Sequence, residues 1–169
     1  MHPTVRRTWA PRGRTPLLRH RTRSYQKVSV IGGISISAAR RRVGWYLRFH
    51  PNLSIRQQQV VQFLRHLLRH LRGHVIVVWD RLRAHRGLQV RRCVQANPRL
   101  TLEHLPPYAP ELNPEEYGWS YIKGHSLANY CPDELDELET AVLVATNRVK
   151  THQALLRSFI HASGLPIRL

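Results

Sequence analysis

Leu105-Pro-Pro-Tyr-Ala-Pro-Glu-Leu-Asn-Pro-Glu-Glu116 is the stretch on which the reading of this chain turns. Pro106, Pro107 and Pro110 fix the backbone and remove amide donors, so 106–110 reads as a rigid turn. Asn113-Pro114 then opens a helix. The asparagine side chain can accept an N–H of the first turn, and proline suits the first helical position, where its missing N–H would have no partner. Glu115 and Glu116 fall in the first turn, where the helix dipole favours carboxylates, and the helix continues through Trp119 and Ile122. Lys123, seven residues beyond Glu116, shares its face.

Working backwards, Leu100 to Leu105 alternates like a short strand, and His85 to about Asn97 reads as a helix. His74-Val-Ile-Val-Val-Trp-Asp80 is a continuous apolar run ending in an acid. Such a run is expected of a strand buried on both faces, and Asp80 stands at its C-terminal end, where open α/β sheets place their sites. Before it, Ser54 is the expected cap of a helix to about Leu71, with Val60, Leu64, Leu67, Leu68 and Leu71 on one face and Gly73 as the stop. Val28, Val30, Ile34 and Ile36 share a parity in a strand with a bend at Gly32-Gly33. Val43 to Phe49 forms the second arm of a hairpin connected through Ala38 to Arg42. A last helix is expected from Pro132-Asp133-Glu134, with Leu135, Leu138, Val142, Ala145 and Val149 on its buried face. Hairpin, helix, strand, helix, strand, helix, helix is an α/β order, compatible with several α/β sheets.

Charge narrows the partner. The 169 residues carry 27 Lys+Arg against 10 Asp+Glu, a net +17, and all but three of the bases are Arg. No acid occurs before Asp80, whereas 80–169 is nearly balanced. A field of this sign concentrates phosphates, and the planar guanidinium can hold one through two hydrogen bonds. Arg6, Arg7, Arg40, Arg41 and Arg42 are therefore candidate DNA contacts, although a GC-rich genome also enriches arginine. Cys93 and Cys131 have neither metal-like nor redox-like spacing, which fits reduced thiols in the cytoplasm. No apolar run is long enough for a membrane span, and no secretory signal is present.

The Leu105–Glu116 segment, with Trp119 and Lys123 after it, resembles the signature around the last catalytic carboxylate of DDE-superfamily transposases, in the bacterial insertion-sequence branch related to mariner elements. The family places that acid two residues after Asn-Pro, which selects Glu116 over Glu115. It also places an earlier acid at the end of an apolar strand, with a histidine five residues on. Asp80, His85 and the 35 residues between Asp80 and Glu116 match, and Arg7-Thr-Trp-Ala-Pro-Arg-Gly-Arg-Thr-Pro16 looks like the stretch that follows the first catalytic strand.

The resemblance implies an α/β, RNase H-like mixed sheet flanked by helices, one catalytic domain over 1–169, and DNA cleavage and strand transfer for an insertion sequence. It implies Asp80 and Glu116 as ligands of Mg²⁺ (or Mn²⁺), with His85 as a further catalytic residue. Two such ions can activate the attacking oxygen and stabilise the leaving one. The family's first acid would fall upstream of Met1, so 1–24 is expected to follow a missing strand and the chain alone to be a poor catalyst. An upstream transposase fragment or a homo-oligomer would complete it. A decayed DNA-binding remnant that interferes with intact relatives is the alternative. The expected location is the bacterial cytoplasm, at the nucleoid.

Individual residues carry competing readings. His85 either positions a water or phosphate or caps the next helix. Arg81 either pairs with Asp80 or contacts DNA, and Lys123 is a candidate phosphate contact. Trp119 and Tyr108 read as core and turn-packing residues rather than base-stacking ones. His66, His70 and His74 repeat at i, i+4, i+8, but Leu67 stands where a zinc-protease motif needs Glu, so a polar helix face is the better reading.

Overall fold

Alternation along Val43-Gly-Trp-Tyr-Leu-Arg-Phe-His-Pro51 sets the first element pair. In the computed structural model, which describes residues 6–17, 27–39, 42–167 and 169, strand β1 (Val28–Ile36) pairs antiparallel with β2 (Val43–Pro51). The register runs unbroken from Val28 opposite Pro51 to Ile36 opposite Val43, so the bend expected at Gly32-Gly33 does not interrupt pairing. Val43, Trp45 and Leu47 point to one side and are buried, as a period of two requires.

Helix α1 (Gln57–His70) starts later than expected. Arg56 is the capping position, and its N–H donates to the Gln59 side chain at 3.0 Å. Ser54 does not cap; its hydroxyl accepts from Lys27 Nζ at 2.7 Å. Gly73 takes a left-handed φ of 73° just after the helix, and Arg99 donates to the carbonyls of Leu71 (2.6 Å) and Gly73 (2.8 Å), fixing the exit.

Strand β3 (Val75–Trp79), helix α2 (Leu88–Gln95) and strand β4 (Leu100–His104) make a parallel β-α-β unit with Val75 opposite Leu100 and Trp79 opposite His104. The expectation that β3 is buried on both faces is corrected here. Val75 and Trp79 are buried, but Ile76 and Val78 are 63% and 53% exposed. Helices α1 and α2 cover one face, and among the described residues nothing equivalent covers the other. α2 also begins three residues beyond His85, which therefore lies in the preceding turn.

After a single 3₁₀ turn at Pro110–Leu112, helix α3 (Pro114–Gly124) starts as read: the Asn113 side chain accepts from Glu115 N at 3.1 Å. Helix α4 (Leu135–Thr151) follows, and then α5 (Gln153–Ala162), which the sequence reading lacked. Gln153 accepts from Val43 N (3.0 Å) and donates to Val43 O (2.8 Å), tying α5 to the start of β2.

Two apolar clusters result. One joins β2 to α3, α4 and α5 through Val43, Trp45, Leu47, Ile122, Val142, Leu156, Phe159 and Ile160. The other joins α1, β3, α2 and β4 through Val60, Leu64, Val75, Trp79, Val90, Cys93 and Leu100. The hairpin and the parallel pair are separate hydrogen-bonded ladders among the described residues. β1 lies between the clusters, since Val28, Val30, Ile34 and Ile36 pack on the first and Ile31 on the second.

Candidate active site

Asp80 is the first residue past β3, so the strand fixes its backbone while its side chain stays 48% exposed. Its Oδ1 accepts from Leu82 N at 3.0 Å, the local turn that aspartate favours after a strand. The same oxygen lies 2.8 Å from His85 Nδ1. A carboxylate can only accept, so Nδ1 carries the proton and His85 Nε2 is the ring's second nitrogen, without a partner among the described residues. His85 is held from behind as well: its ring stacks on Trp79 at 4.3 Å with an interplanar angle of 4°. Trp79 O in turn accepts from Leu105 N at 2.8 Å, which carries the parallel ladder into the turn after β4. The structure thus joins Asp80, His85 and the Leu105 turn at one end of the parallel strands. Arg81 is exposed; Asp80 takes His85 as its partner and not Arg81.

Glu116 is exposed on the first turn of α3. Its neighbour Glu115 turns inward. Glu115 Oε2 accepts from Trp45 Nε1 at 2.7 Å, and Oε1 is buried beside it. Burial pushes the Glu115 carboxyl up to about 8, against the lowering effect of hydrogen bonds from Trp45 and Trp119. Gly32 makes the room: a Cβ there would collide with Glu115 and lie 2.7 Å from Leu47 Cδ2. In sequence Glu115 reads as a helix-dipole acid. No sequence signal marked it as buried, because its neighbours Gly32 and Trp45 come from a hairpin some seventy residues earlier.

The aromatic residues divide. Trp119 packs edge-on against Trp45 at 5.7 Å, within the core as expected. Tyr108 does not pack in its turn: it is fully exposed, with a left-handed φ of 58°. The flanking prolines hold the backbone and present the ring to solvent, which sequence alone could not distinguish from an inward-facing ring.

The candidate DNA contacts differ in their surroundings. Arg6 is committed by its backbone to Asn129, its N–H donating to Asn129 Oδ1 at 2.8 Å and its carbonyl accepting from Asn129 Nδ2 at 3.0 Å. Its guanidinium rests against Gly124 at the end of α3. Arg7, Arg42 and Lys123 are exposed. Arg40 and Arg41 lie outside the described residues.

The donors at the site are hard oxygens suited to Mg²⁺ or Mn²⁺. Among the described residues Asp80 makes its contacts through Oδ1, and Glu116 is exposed. Among the described residues no three His, Cys, Asp or Glu side chains gather into a ready-made cage. No described helix is long and apolar enough to cross a membrane.

The family described as DDE superfamily endonuclease matches residues 1–139. An uncharacterised protein of Sinorhizobium fredii is 28% identical over 96 residues, covering 54% of this chain and 68% of that protein. Among solved structures, the Mos1 mariner paired-end complex with Mn superposes with a TM-score of 0.61 at 16% identity, over 99% of this chain and 53% of that one. The Mos1 transposase paired-end complex with left transposon end gives 0.62 at 19%, over 94% and 47%. The Mos1 strand transfer complex gives 0.60 at 18%, over 94% and 46%. The shared fold is mixed α/β and RNase H-like, and the chain spans about half the length of these solved chains.

Proposed function

The chain belongs to the DDE superfamily endonucleases, and from that premise we propose that it is a transposase catalytic segment, acting on DNA by metal-dependent cleavage and strand transfer for an insertion sequence. The observation that carries the proposal is the Asp80–His85 pair, held at the end of β3 by the Leu82 amide and by stacking on Trp79. Asp80 and Glu116 are the residues that would hold a divalent ion, with water and substrate phosphate completing its shell. When bound, the ion would stabilise the charge that develops on the phosphoryl oxygens during transfer.

The chain's own contribution is orientation. His85 holds the Asp80 carboxylate through Oδ1, which leaves Oδ2 to act as the metal donor. With Nδ1 on Asp80, His85 Nε2 points away from the carboxylate and would donate to a substrate phosphate oxygen there when the ring is protonated. Arg7, Arg42, Arg81 and Lys123 supply exposed cations for the backbone beyond. Arg6 serves more as a clasp between the N-terminal segment and the end of α3.

Two acids hold two ions poorly, and the sequence has no third acid before Asp80. We therefore expect slow catalysis by these 169 residues alone, with an upstream transposase fragment or a second copy as the proposed partner. The bacterial cytoplasm, at the nucleoid, is the proposed place of work. The testing experiment is supercoiled-plasmid nicking with Mg²⁺ or Mn²⁺, comparing the chain with Asp80→Asn and His85→Gln. The expected result is weak, metal-dependent nicking that Asp80→Asn abolishes and His85→Gln lowers at least tenfold. Nicking indifferent to Asp80 would overturn the assignment. Salt-sensitive duplex binding with no nicking at all would favour the non-catalytic remnant, which the missing acid also suits.

A further inference from the structure

The His66/His70/His74 repeat is not absorbed by the Asp80 site, and the fold separates its members. His74 Nε2 pairs with the Thr101 hydroxyl at 2.8 Å on the parallel ladder. His66 and His70 stay together, one turn apart on α1, with ring centroids 4.2 Å from each other. Both meet Tyr46 of β2, at 6.2 and 6.1 Å. His70 Nδ1 lies 2.8 Å from His66 O, and a carbonyl only accepts, so this nitrogen is the donor and His70 Nε2 is left over.

Cations surround this pair. Tyr46 and Arg48 alternate with the core residues Trp45 and Leu47, so they face α1, and Arg48 Nη1 reaches Gln62 O at 3.5 Å. Arg69 lies beside His70 on the exposed side of α1. Lys150 arrives at the end of α4, half-buried, and its burial pulls its ammonium below the usual range. His66 is lowered first by burial and then by the positive charge of His70, Arg48, Arg69 and Lys150. No acid answers them. Residues 1–79 contain none, and the nearest acid on α4, Glu139, is about 16 Å of helix away from Lys150. Among the described residues no carboxylate pairs with Arg48, Arg69 or Lys150.

Folding thus brings three cations, Arg48, Arg69 and Lys150, and the imidazoles of His66 and His70 from three elements onto one surface with no counter-charge among the described residues. Like charges held together raise the energy of the folded state unless an anion relieves them. We propose that Arg48, His66, Arg69, His70 and Lys150 form a phosphate-binding surface for the backbone of duplex nucleic acid, separate from the Asp80 end. Guanidinium and ammonium donors match phosphate oxygens, and an imidazole ring N–H can donate to one as well. Arg65 continues the charge one turn before Arg69 on the exposed side of α1, which makes an extended array suited to successive phosphates. The choice of a nucleic acid partner rests on the proposed DNA-acting function; the surface itself does not depend on the Asp80 chemistry.

The test is anisotropy titration of a labelled 20-base-pair duplex of arbitrary sequence in EDTA, so that no cleavage contributes, over a range of salt concentrations. The double variant Arg69→Gln/Lys150→Gln is compared with Arg91→Gln/Arg92→Gln, which removes the same charge from exposed positions on α2. The patch variant is expected to flatten the log–log salt slope by about 1.8, from about 0.9 per phosphate contact, and to weaken binding roughly tenfold at low salt, while the α2 variant leaves the slope unchanged. Arg69→Gln alone, on an exposed position, is expected to give about half the change with an unaltered melting temperature, which guards against misfolding at Lys150. Equal losses in both double variants, or no change in slope for the patch variant, would overturn the proposal. So would displacement of the duplex by inorganic phosphate beyond what chloride achieves at equal ionic strength, since that marks a small-anion pocket. Loss of nicking with this binding pattern intact would count against the proposed catalysis and leave the surface standing.

Discussion

Asp80 and Glu115 are both carboxylates, and the fold gives them opposite environments. Asp80 stays half-exposed with its charge supported by the Leu82 amide and His85. Glu115 is enclosed by Trp45, Trp119 and Gly32, and burial favours its neutral form, moving its pKa from 4.5 to about 8. The sign of the linkage follows. A raised carboxyl pKa means that the folded state holds the proton more tightly than the unfolded chain does. This contribution is full below about pH 4.5 and is lost as pH rises through about 8. Glu115→Gln, which cannot ionise, is expected to remove it. Melted side by side from pH 5 to 8, the variant should gain on the native chain by up to about 1 kcal/mol per pH unit. A gap that stays constant with pH would show that Glu115 does not titrate between the two states.

The pairing of β1 with α3 is the element-level consequence of that burial. Gly32 sits in an extended strand at a non-positive φ, so its value is space and not backbone freedom: any Cβ would enter the volume of Glu115 and Leu47 Cδ2. Gly32→Ala is expected to destabilise the chain by about 1–3 kcal/mol through overpacking, seen as a lower urea midpoint. The Gly32→Ala/Glu115→Ala double variant should recover part of that loss, because the two residues compete for one space. Full additivity would mean that the strand–helix contact is not where the cost arises. Gly118 has a related role on α3, where a Cβ would come within 3.0 Å of Trp45 Cζ2. One side of the first turns of α3 is thus shaped by the indole of β2.

At the scale of the whole molecule, the uncovered face of β3 stands out. Ile76 and Val78 are more than half exposed, and β3 has a hydrogen-bonded neighbour on one edge only among the described residues. An apolar strand with a free edge invites association with another polypeptide. Ile76→Ser/Val78→Ser is expected to reduce concentration-dependent light scattering. Its stability cost should be small, within about 1 kcal/mol, because neither side chain contributes much buried area. Undiminished scattering would move the sticky surface elsewhere, with exposed Leu82 and Leu88 the next candidates.

By itself the sequence determined what short-range physics controls. The Asn113-Pro114 start of α3, the Gly73 stop after α1, the order of strands and helices through β4, and Asp80 at a strand end all follow from caps, breakers and the spacing of apolar residues. Helix α5 was legible in the same terms, through Leu155, Leu156, Phe159 and Ile160, yet its separation from α4 depends on the short break at His152. Tertiary structure decided the rest. An apolar run such as Val75–Trp79 has the same pattern whether one face or both are covered, and Tyr108 follows the same prolines whether its ring points in or out. Adjacent Glu115 and Glu116 are chemically alike; one is buried and the other exposed because α3 turns only the first toward Trp45 and the gap at Gly32. The cation surface of β2, α1 and α4 is likewise invisible in sequence, since Arg48, His66 and Lys150 lie far apart along the chain. Burial and field depend on what a distant segment places opposite a side chain, and only the folded chain sets that.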